Sequence, residues 1–554
     1  MGRPKNMIIQ DATDDYINNL NLANPPEPEV IEMELLDAIE TAIGAENALR
    51  AKGAKLKVPT ELTPNQIARL INTLYPIATI SCAGINADPK YDLLAMYMEN
   101  GDDAGTYSTS EIEISKIAKR FNHNLSIKGF DEVLWELRLI VPRKQRCMDK
   151  NLIAVNNGIF DYSTKELKPF SADKVFMTKS HVNYNDQAKN VIIHNDQDGT
   201  DWDVESWMNE LSDDPEIVEL LWQILSAIIR PNVRWNKSAW LYSESGNNGK
   251  GTLCELMRSL CGDTAYAAIP IANFGKDFAL EPLTRATAII VDENDVGLFI
   301  DKAANLKAVI TNDVVSINRK FQTPISYQFF GFMVQCLNEF PRIKDKSDSF
   351  YRRQLFIPFT KCFTGAERKY IKNDYLHRKD VLEYVMFKVL NTDFYELSEP
   401  QACIDILSEY KEFNDPVRQF WEEMSQNFAW DVIPFTFLYD LYRAWVKKYN
   451  PNSMVPGKIK FVSEILNVIS KDPVWYCTDK NKRIRVGHKM DEPELLISAY
   501  GLDDWKNPNY NGRDDSKICR PNIPDFTRGI LRASITPNLD DEDGEEVVVD
   551  EDND

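Results

Sequence analysis

The chain has 554 residues, of which 43% are hydrophobic and 27% charged, so it has the composition of a globular protein and the length for three or four domains. No apolar run is long enough to span a membrane, and the polar N-terminus differs from a secretory signal peptide. Nine scattered cysteines without a CxxC pair predict reduced thiols and no zinc ribbon, which favours a cytoplasmic protein with no membrane partner.

The net charge of −21 does not exclude a nucleic-acid-binding protein. Ten of the residues in 540–554 are acidic, so the rest of the chain is less acidic than the total suggests. Nucleic-acid binding can depend on one local basic surface, which the overall charge does not reveal. Charge alone therefore leaves this class of function open.

The N-terminal part of the chain has the pattern of a scaffold. Residues 1–30 are polar and predict a flexible arm. Residues 31–204 predict a mainly helical region with a small β part, because their apolar residues mostly recur with helical spacing. We find no chemistry that these residues require.

Within this region, residues 153–184 alternate in hydrophobicity and predict short strands with a hairpin whose tip is at Ser163 and Thr164. His181 and His194 are predicted to be surface residues rather than metal ligands, because no other ligand residues cluster around them.

Residues 243–252, SESGNNGKGT, have the context of a phosphate-binding loop. They follow an apolar run at residues 239–242 that predicts a buried strand, and they precede a helix with one apolar face. In such a loop, backbone N–H groups and the helix N-terminus bind phosphates, and Lys250 reaches the β- and γ-phosphates. The residues predicted to bind ATP are Ser245, Gly246, Asn247, Asn248, Gly249, Lys250, Gly251 and Thr252.

The loop departs from the usual pattern at two positions. Glu244 occupies the place of the usual first glycine, and its carboxylate has to point away from bound phosphates. Gly251 follows the lysine, so the hydroxyl that would bind Mg²⁺ is delayed to Thr252. Taken alone, the loop could also be a glycine turn between two core elements.

About forty residues after the lysine, an apolar run at residues 288–291 predicts a strand that ends in Asp292 and Glu293. Both carboxylates are then expected at the carboxyl edge of a parallel sheet, beside the phosphate loop. We predict that Asp292 holds Mg²⁺ together with Thr252, and that Glu293 polarises the attacking water. A strand ending in two acidic residues is common, so this motif carries weight only beside the loop.

A third apolar strand, residues 329–337, ends in Asn338, whose amide can orient the lytic water and sense the γ-phosphate. Arg352 and Arg353 follow, directly before a fourth strand at residues 354–359. An arginine pair at the mouth of such a sheet suits an arginine finger that acts on the nucleotide of a neighbouring subunit. A surface ion pair is the simpler alternative for two arginines.

Between the second and third strands, residues 315–322 place Arg319, Lys320 and Phe321 at the tip of a predicted hairpin. Basic residues beside an aromatic suit contacts to the phosphates and bases of DNA. An exposed turn without a ligand is the alternative for this segment.

In this order and spacing, the motifs resemble those of the superfamily 3 helicases, which are ring-forming AAA+ ATPases, and most closely the poxvirus- and phage-type primase-helicase branch. The segments concerned are LYSESGNNGKGT, AIIVDEN, CLNEFPRIKDKSDSFYRRQLFIPF, SINRKFQ and VNNGIFDYSTKELKPFS. The similarity covers roughly residues 90–430 and is strongest over residues 237–360.

The resemblance implies an AAA+-like α/β core with a parallel sheet and flanking helices at residues 205–365, using ATP and Mg²⁺. It implies a homo-oligomer, a ring of six subunits that encircles single-stranded DNA and moves 3′ to 5′, in the cytoplasm of a bacterial host. It also implies that Asn338 acts as the sensor, Arg353 as the finger with Arg352 as second choice, and Lys320 and Phe321 as the moving tip.

Beyond the core, residues 366–430 predict helical packing and residues 431–500 a winged-helix-like domain. That domain would comprise two amphipathic helices followed by residues 474–476 and 480–486 as a basic hairpin, although the basic run could equally be a solvated edge. Residues 501–554 predict a loosely ordered acidic tail, a possible contact for other replication proteins.

The combined interpretation is an ATP-dependent replicative DNA helicase of a phage or mobile element that unwinds forked DNA. One alternative is a primase-helicase with its own priming activity, although residues 1–150 show no convincing priming module. Another is a DNA-binding initiator or loader that uses ATP only to assemble.

Overall fold

The computed structural model describes residues 3–84, 86–196, 198–263, 265–300, 302–320, 322–345, 347–449, 455–470 and 472–533. Phe321 and the acidic residues 540–554 lie outside these ranges. The chain divides into two compact units, Met1–Leu407 and Ser408–Asp554. Among the described residues, no helix is both long and apolar enough to cross a membrane.

The first unit begins with a helical region that contains a small sheet. Its elements are α1 (Lys5–Asn18), α2 (Pro28–Ala48), α3 (Pro64–Leu74), β1 (Ile77–Ser81), β2 (Leu93–Tyr97), β3 (Tyr107–Ser108), α4 (Glu111–Phe121), α5 (Ile127–Ile140) and β4 (Arg143–Gln145). The sheet has the order β3-β2-β1-β4, in which β1 is antiparallel to β2 and parallel to β4. The mainly helical character with a small β part is as predicted.

The predicted flexible arm is wrong over α1. The helix buries Ile8 and Thr13, and Ile8 shares a core with Ile31 and Leu35, which lie one helical turn apart on α2. Thr13 Oγ1 also accepts a hydrogen bond from Gln66 Nε2 of α3 at 2.9 Å. The polar composition concealed this helix because few of its side chains are buried.

Short strands and two helices lead into the core. They are β5 (Leu152–Val155), β6 (Gly158–Asp161), β7 (Glu166–Lys168), β8 (Ile193–Asn195), β9 (Thr200–Trp202), α6 (Val204–Glu210) and α7 (Pro215–Ile229). Strands β6 and β7 form the predicted hairpin, and Asp161 Oδ1 accepts bonds from Ser163 N and Oγ at its turn. His194 is exposed, as predicted, and its Nδ1 lies 2.7 Å from Asp201 Oδ1.

An α/β core follows, built on a five-stranded parallel sheet of order β11-β12-β16-β10-β18. Its elements are β10 (Ser238–Tyr242), α8 (Lys250–Cys261), β11 (Tyr266–Ala267), β12 (Ala288–Val291), β13 (Phe299–Ile300), α9 (Ala304–Ile310), β14 (Val314–Arg319), β15 (Gln322–Gln328), β16 (Phe332–Leu337), β17 (Arg342–Ile343), α10 (Asp348–Tyr351), β18 (Gln354–Pro358), α11 (Lys369–Asn373), α12 (Lys379–Leu390) and α13 (Gln401–Asn414).

Strands β10, β12 and β16 are buried along their whole length, as expected for parallel strands covered on both faces. Because all five strands run the same way, their carboxyl ends share one edge of the sheet. That edge brings together the segments that follow Tyr242, Val291 and Leu337. Strands β14 and β15 form a separate antiparallel hairpin, as predicted from the sequence.

The second unit combines helices with a three-stranded sheet of order β19-β23-β20. Its elements are α14 (Pro416–Met424), β19 (Val432–Pro434), α15 (Phe435–Tyr449), α16 (Lys458–Ile469), β20 (Trp475–Tyr476), β21 (Ile484–Arg485), α17 (Leu496–Ala499), α18 (Asp515–Ile518), β22 (Phe526–Thr527) and β23 (Gly529–Arg532). The two amphipathic helices are as predicted.

Two expectations for this unit are wrong. The predicted basic hairpin does not form, because β20 and β21 do not pair with each other. Instead, β20 pairs with β23 and β21 pairs with β22. Residues 515–532, expected to be loosely ordered, contain a helix and two strands, and β23 is the middle strand of the sheet. Ile530 of β23 is fully buried, which explains why this late segment is fixed.

Candidate functional site

The predicted phosphate loop joins β10 to α8 at the carboxyl edge of the parallel sheet. Asn248 is buried and stabilises the loop through two hydrogen bonds. Its Nδ2 donates to the Ser245 carbonyl at 2.5 Å, and its Oδ1 accepts from Lys250 N at 3.3 Å. Gly249 caps α8 with a φ of +88°, and a Cβ there would lie 2.7 Å from Leu211 Cδ2. The loop therefore requires glycine at this position.

Lys250 connects the loop to Asn338, the residue that follows β16. Its side chain is 5% exposed, and its Nζ lies 3.0 Å from Asn338 Oδ1, 3.2 Å from the Leu337 carbonyl and 3.3 Å from the Ser243 carbonyl. Burial lowers the pKa of Lys250. The structure thus brings together Lys250 and Asn338, which the sequence assigned separately to the phosphates and to the lytic water.

Asp292 and Glu293 follow β12 at the same edge, and both are exposed. Asp292 Oδ2 lies 2.9 Å from Arg258 Nη2 on α8, and Arg258 Nη1 lies 3.1 Å from Glu255 Oε2. Burial acts to raise the pKa of Asp292, but the hydrogen bond and charge of Arg258 outweigh it, so the pKa lies below its ordinary value. Sequence reasoning did not identify Arg258, because there it is simply one basic residue near the end of a predicted helix.

Asn294 is a second residue that sequence reasoning missed. It is buried, its Nδ2 donates to Gln335 Oε1 at 3.0 Å and to the Cys336 carbonyl at 3.1 Å, and its Oδ1 accepts from Ile271 N at 3.0 Å. These bonds attach the turn after the acidic pair to β16. The only signal in the sequence was an asparagine directly after two acidic residues.

The unusual Glu244 is accommodated by an aromatic neighbour. Tyr242 OH donates to Glu244 Oε1 at 3.0 Å, and the Tyr242 ring stacks on Phe340 with ring centres 4.3 Å apart. The carboxylate is therefore held by the end of β10. This arrangement fits the requirement that it point away from the phosphates.

The segment after β18 covers the loop. Phe363 N donates to the Asn247 carbonyl at 2.7 Å, and Asn247 Nδ2 donates to Glu367 Oε1 at 3.2 Å. Farther along, Arg368 forms an ion pair with Glu210 at the end of α6. These contacts were not predicted, because they join parts of the chain that are far apart in sequence.

Between this segment, α6 and the loop lies a cavity of about 350 Å³, in the usual size range of ligand pockets. Trp207 and Phe363 contribute apolar walls, and Thr252 and Gly249 line the side of the loop. Lys372 also lines the cavity, and its Nζ would lie 3.8 Å from a Cβ added to Gly251. The cavity is therefore lined in part by the phosphate loop, and its lining combines apolar residues with residues of both charges.

The two predicted finger arginines differ in their surroundings. Arg353 is half-buried, its Nη1 donates to the Ser349 carbonyl, and burial lowers its pKa. Arg352 is exposed. Arg352 is therefore the member of the pair that is presented to solvent, while Arg353 lies against its own chain.

The hairpin residues lie on a different element from the strand-end groups. Arg319 is half-buried and its Nη2 donates across the turn to the Thr323 carbonyl at 3.0 Å, while Lys320 is exposed. Phe321 lies outside the described residues. No hydrogen bond or ion pair found among the described residues joins Arg319 to Lys250 or Asp292.

The oxygen donors at the sheet edge fit Mg²⁺. They are the hydroxyl of Thr252 and the carboxylates of Asp292 and Glu293, and Mg²⁺ takes oxygen ligands from a few protein groups together with water and phosphate. Within the described ranges, no group of three His, Cys, Asp or Glu side chains forms a ready metal site. An ion here would thus depend on the nucleotide for part of its coordination.

Two family models with related descriptions match parts of the chain. Residues 86–221 match the model described as D5 N terminal like, and residues 412–507 match the one described as Poxvirus D5 protein-like. These two matches support a phage- and poxvirus-type primase-helicase family for the chain. Residues 241–353 also match a family of unknown function, DUF5906, and that match contains the predicted phosphate loop, the acidic pair and Asn338.

The chain is also similar to solved structures of the NrS-1 C-terminal region. An A-form apo structure of the NrS-1 C-terminal region has 14% identity and a TM-score of 0.42, over 77% of this chain and 98% of that one. A second apo structure of that region has 14% identity and a TM-score of 0.41, over 77% and 97%. No curated protein matches the chain. The support for the family comes from the two D5 models.

Proposed function

We propose that this D5-like chain is an ATP-dependent DNA helicase that translocates on single-stranded DNA as a homo-oligomeric ring. The observation that carries the proposal is the contact of Lys250 with Asn338 beside the exposed Asp292 and Glu293. A buried lysine held by oxygens at a strand-loop-helix junction is a suitable group to receive the β- and γ-phosphates.

The sheet order supports an AAA+-like core. Strand β16, which carries Asn338, lies between the loop strand β10 and the acidic strand β12. Its amide therefore stands between the groups that hold the phosphates and the groups that act on water. The superfamily 3 resemblance implies that Asn338 is the sensor.

In the proposed mechanism, backbone N–H groups of the loop and the N-terminus of α8 bind the phosphates, and Lys250 moves from its carbonyl acceptors onto them. Bound Mg²⁺ supplies positive charge at the phosphates, with Thr252 and Asp292 as its protein ligands. Glu293 polarises the attacking water, which Asn338 orients. The base occupies the cavity between Trp207 and Phe363, where the apolar walls are.

Charge that develops on the transferred phosphoryl group needs an additional cation. We assign this role to Arg352 of a neighbouring subunit, because its side chain is exposed, whereas Arg353 bonds to its own chain. Six subunits and translocation 3′ to 5′ are further parts of the proposal, taken from the resemblance. A replication protein that contacts the acidic residues 540–554 is another part, taken from their composition.

We further propose that the second unit is a winged-helix-like DNA-binding domain. Its order of α14, β19, α15, α16, β20 and β23, with the sheet β19-β23-β20, supports this assignment. Exposed Lys458 and Lys460 at the start of α16 offer contacts for phosphates.

Strand displacement by the purified chain on a forked duplex tests the function. ATP- and Mg²⁺-dependent separation is expected for the wild type, whereas Glu293→Gln should still bind ATP but neither hydrolyse it nor unwind DNA. ATP hydrolysis and DNA binding without displacement would instead indicate an initiator or loader. Incorporation of nucleotides into a new primer on the same template would indicate priming activity.

A further inference from the structure

A small two-stranded sheet in the second unit carries a concentration of positive charge. Strand β21 pairs with β22, and Arg485 lies opposite Phe526 in that pair. We call residues 480–485 and 526–528 the basic ribbon. These nine residues include five cations and no acidic residue. All five cations are exposed, namely Lys480, Lys482, Arg483, Arg485 and Arg528.

The cations of the basic ribbon are not compensated by neighbouring acids in the way that other cations of this unit are. Among the described residues of the second unit, ion pairs are found for Lys460, His488, Lys506, Lys517 and Arg532. Only Asp479 and Asp525 directly flank the basic ribbon in the sequence. The ribbon therefore keeps an excess of positive charge that an anionic group can bind.

Phe526 adds an apolar centre to this surface. Its side chain is 50% exposed, and a residue and its partner on the neighbouring strand project from the same face of a sheet, so Phe526 lies beside Arg485. A phenyl ring among exposed cations fits an anionic segment that also carries apolar side chains.

The chain itself contains a segment of this chemistry. Residues 540–554, called here the acidic tail, lie outside the described residues and contain ten acidic side chains. Three valines at residues 547–549 interrupt them, with acidic residues on both sides. Blocks of like charge often serve as interaction segments. The acidic tail thus combines the opposite charge with apolar residues that can contact Phe526.

The acidic tail begins close enough to the basic ribbon to reach it. Strand β23 ends at Arg532, and Ala533 N donates to the Val474 carbonyl at 2.6 Å, which fixes the start of the C-terminal segment. Ala533 is six residues from Thr527, which is at most about 20 Å along an extended chain. Residues 534–539 can span about 20 Å as well, so the carboxylates that follow can return to the ribbon.

We propose that the acidic tail binds the basic ribbon of its own chain, with its carboxylates on the cations and residues 547–549 against Phe526. DNA phosphates would bind the same cations, so the tail would compete with DNA for this surface. A short tether gives an effective concentration of about 1 mM, so an intrinsic Kd of about 0.1 mM would weaken DNA binding about tenfold. The competition rests on the proposed DNA binding by the second unit, whereas the contact itself does not.

Carbodiimide coupling of carboxylates to lysines in the full chain tests the contact without DNA. Arg532 is the last basic residue, so trypsin releases residues 533–554 as one peptide. This peptide should be joined to peptides containing Lys480 or Lys482, with a yield that falls as salt screens the charges. A tail peptide joined to neither lysine would overturn the contact. When isotope-labelled and unlabelled chains are mixed, products of mixed label would instead assign the tail to another subunit.

Binding of a fluorescent forked duplex, measured by anisotropy at low salt, tests the competition. The tail variant changes all ten acidic residues of 540–554 to Asn or Gln, and the ribbon variant combines Lys482→Gln, Arg483→Gln and Arg485→Gln. The tail variant should bind about tenfold more tightly than the wild type. The same tail change in the ribbon variant should have little effect, because the shared surface is gone. An equal gain in both backgrounds would mean that the tail repels DNA through its overall charge, and would overturn the contact.

Lys506→Gln is the matched control, because it removes a cation of the same unit that is already paired with Asp503 at 2.6 Å. It should change neither the cross-linked products nor the gain from the tail variant, and all variants should retain DNA-free ATP hydrolysis. Cross-links at Lys480 or Lys482 without any gain in DNA affinity would overturn the competition. If cross-links form but no variant binds DNA, the proposed function fails and the tail contact stands.

Discussion

Arg258 of α8 and Asp292 at the end of β12 form an ion pair, with 2.9 Å between Nη2 and Oδ2. The pair joins the phosphate-loop helix to the acidic strand. It also engages the carboxylate that we assign to Mg²⁺, and 43% of that Asp292 side chain remains exposed. The cation and a metal ion would therefore compete for one carboxylate group.

Arg258→Gln should reduce the Mg²⁺ concentration required for half-maximal ATP hydrolysis, because Asp292 then loses its protein cation. Titration of phosphate release with Mg²⁺ measures the effect, and Arg285→Gln, a change in a cation outside α8 and the strand ends, is the control. An unchanged midpoint would mean that Asp292 does not bind the metal, and Thr252 would become the main protein ligand.

Lys250→Ala should lower ATP hydrolysis by roughly 10²–10³-fold or more, as removal of a single group that stabilises transition-state charge typically does. Asn338 and two backbone carbonyls lose their donor in this variant, so its folding is checked by circular dichroism. Lys237→Ala, which removes the partner of Glu399 just before β10, is the matched control and should hydrolyse ATP normally. Phosphate release near the wild-type rate in Lys250→Ala would refute the site.

Arg352 should act across a subunit boundary. When Arg352→Ala and Lys250→Ala proteins are mixed, some interfaces keep both groups, so part of the ATP hydrolysis should return. Arg353→Ala should instead lower the melting temperature, because it loses the bond to the Ser349 carbonyl. Rescue by Arg353→Ala but not by Arg352→Ala, with mixed oligomers confirmed, would assign the finger to Arg353.

Local signals made the centre of the site predictable. The apolar run before the loop, its glycines and the helical spacing after it each act over a few residues, and the structure has β10, the loop and α8 in that order. The hairpin β14–β15 follows from similar local patterning. Such signals require no knowledge of which distant segments meet.

Contacts between distant segments could not be predicted in this way. The segment that covers the loop reaches Asn247 from Glu367, and Arg258 reaches Asp292 from another element. The strand β23 is only four residues long and gains its place from pairing with β19 and β20. In each case the partner, rather than the local sequence, determines the role.

Asn294→Ala should lower the free energy of unfolding by about 2 kcal/mol, because it removes a buried amide and leaves Ile271 N and the Cys336 carbonyl without their side-chain partner. Urea denaturation measures the change. Asn305→Ala, which removes the bond that the exposed Asn305 donates to the Phe274 carbonyl, should cost less. A cost for Asn294→Ala no larger than for Asn305→Ala would show that Asn294 does not fix the turn after the acidic pair.

Substitutions in the hairpin test the proposed DNA contact separately from the proposed ATP hydrolysis. Lys320 is exposed beyond β14 and does not belong to the strand-end groups that surround Lys250. Phe321 follows it in the sequence, outside the strand-end motifs. Lys320→Ala and Phe321→Ala should therefore keep DNA-free ATP hydrolysis but lose its stimulation by DNA and the unwinding of a fork. Removal of a stacked aromatic typically costs about 1–3 kcal/mol per base, which weakens binding roughly tenfold or more.

Lys320→Ala should in addition weaken binding of all sequences alike and flatten its salt dependence, since a lysine contacts phosphate rather than base. Parallel assays of ATP hydrolysis, anisotropy and strand displacement distinguish these effects, with Lys379→Ala as a control that should behave as the wild type does. If both hairpin variants unwind a fork normally, the hairpin does not hold the strand. The basic residues Lys480, Lys482, Arg483 and Arg485 of the second unit then become the next set to substitute.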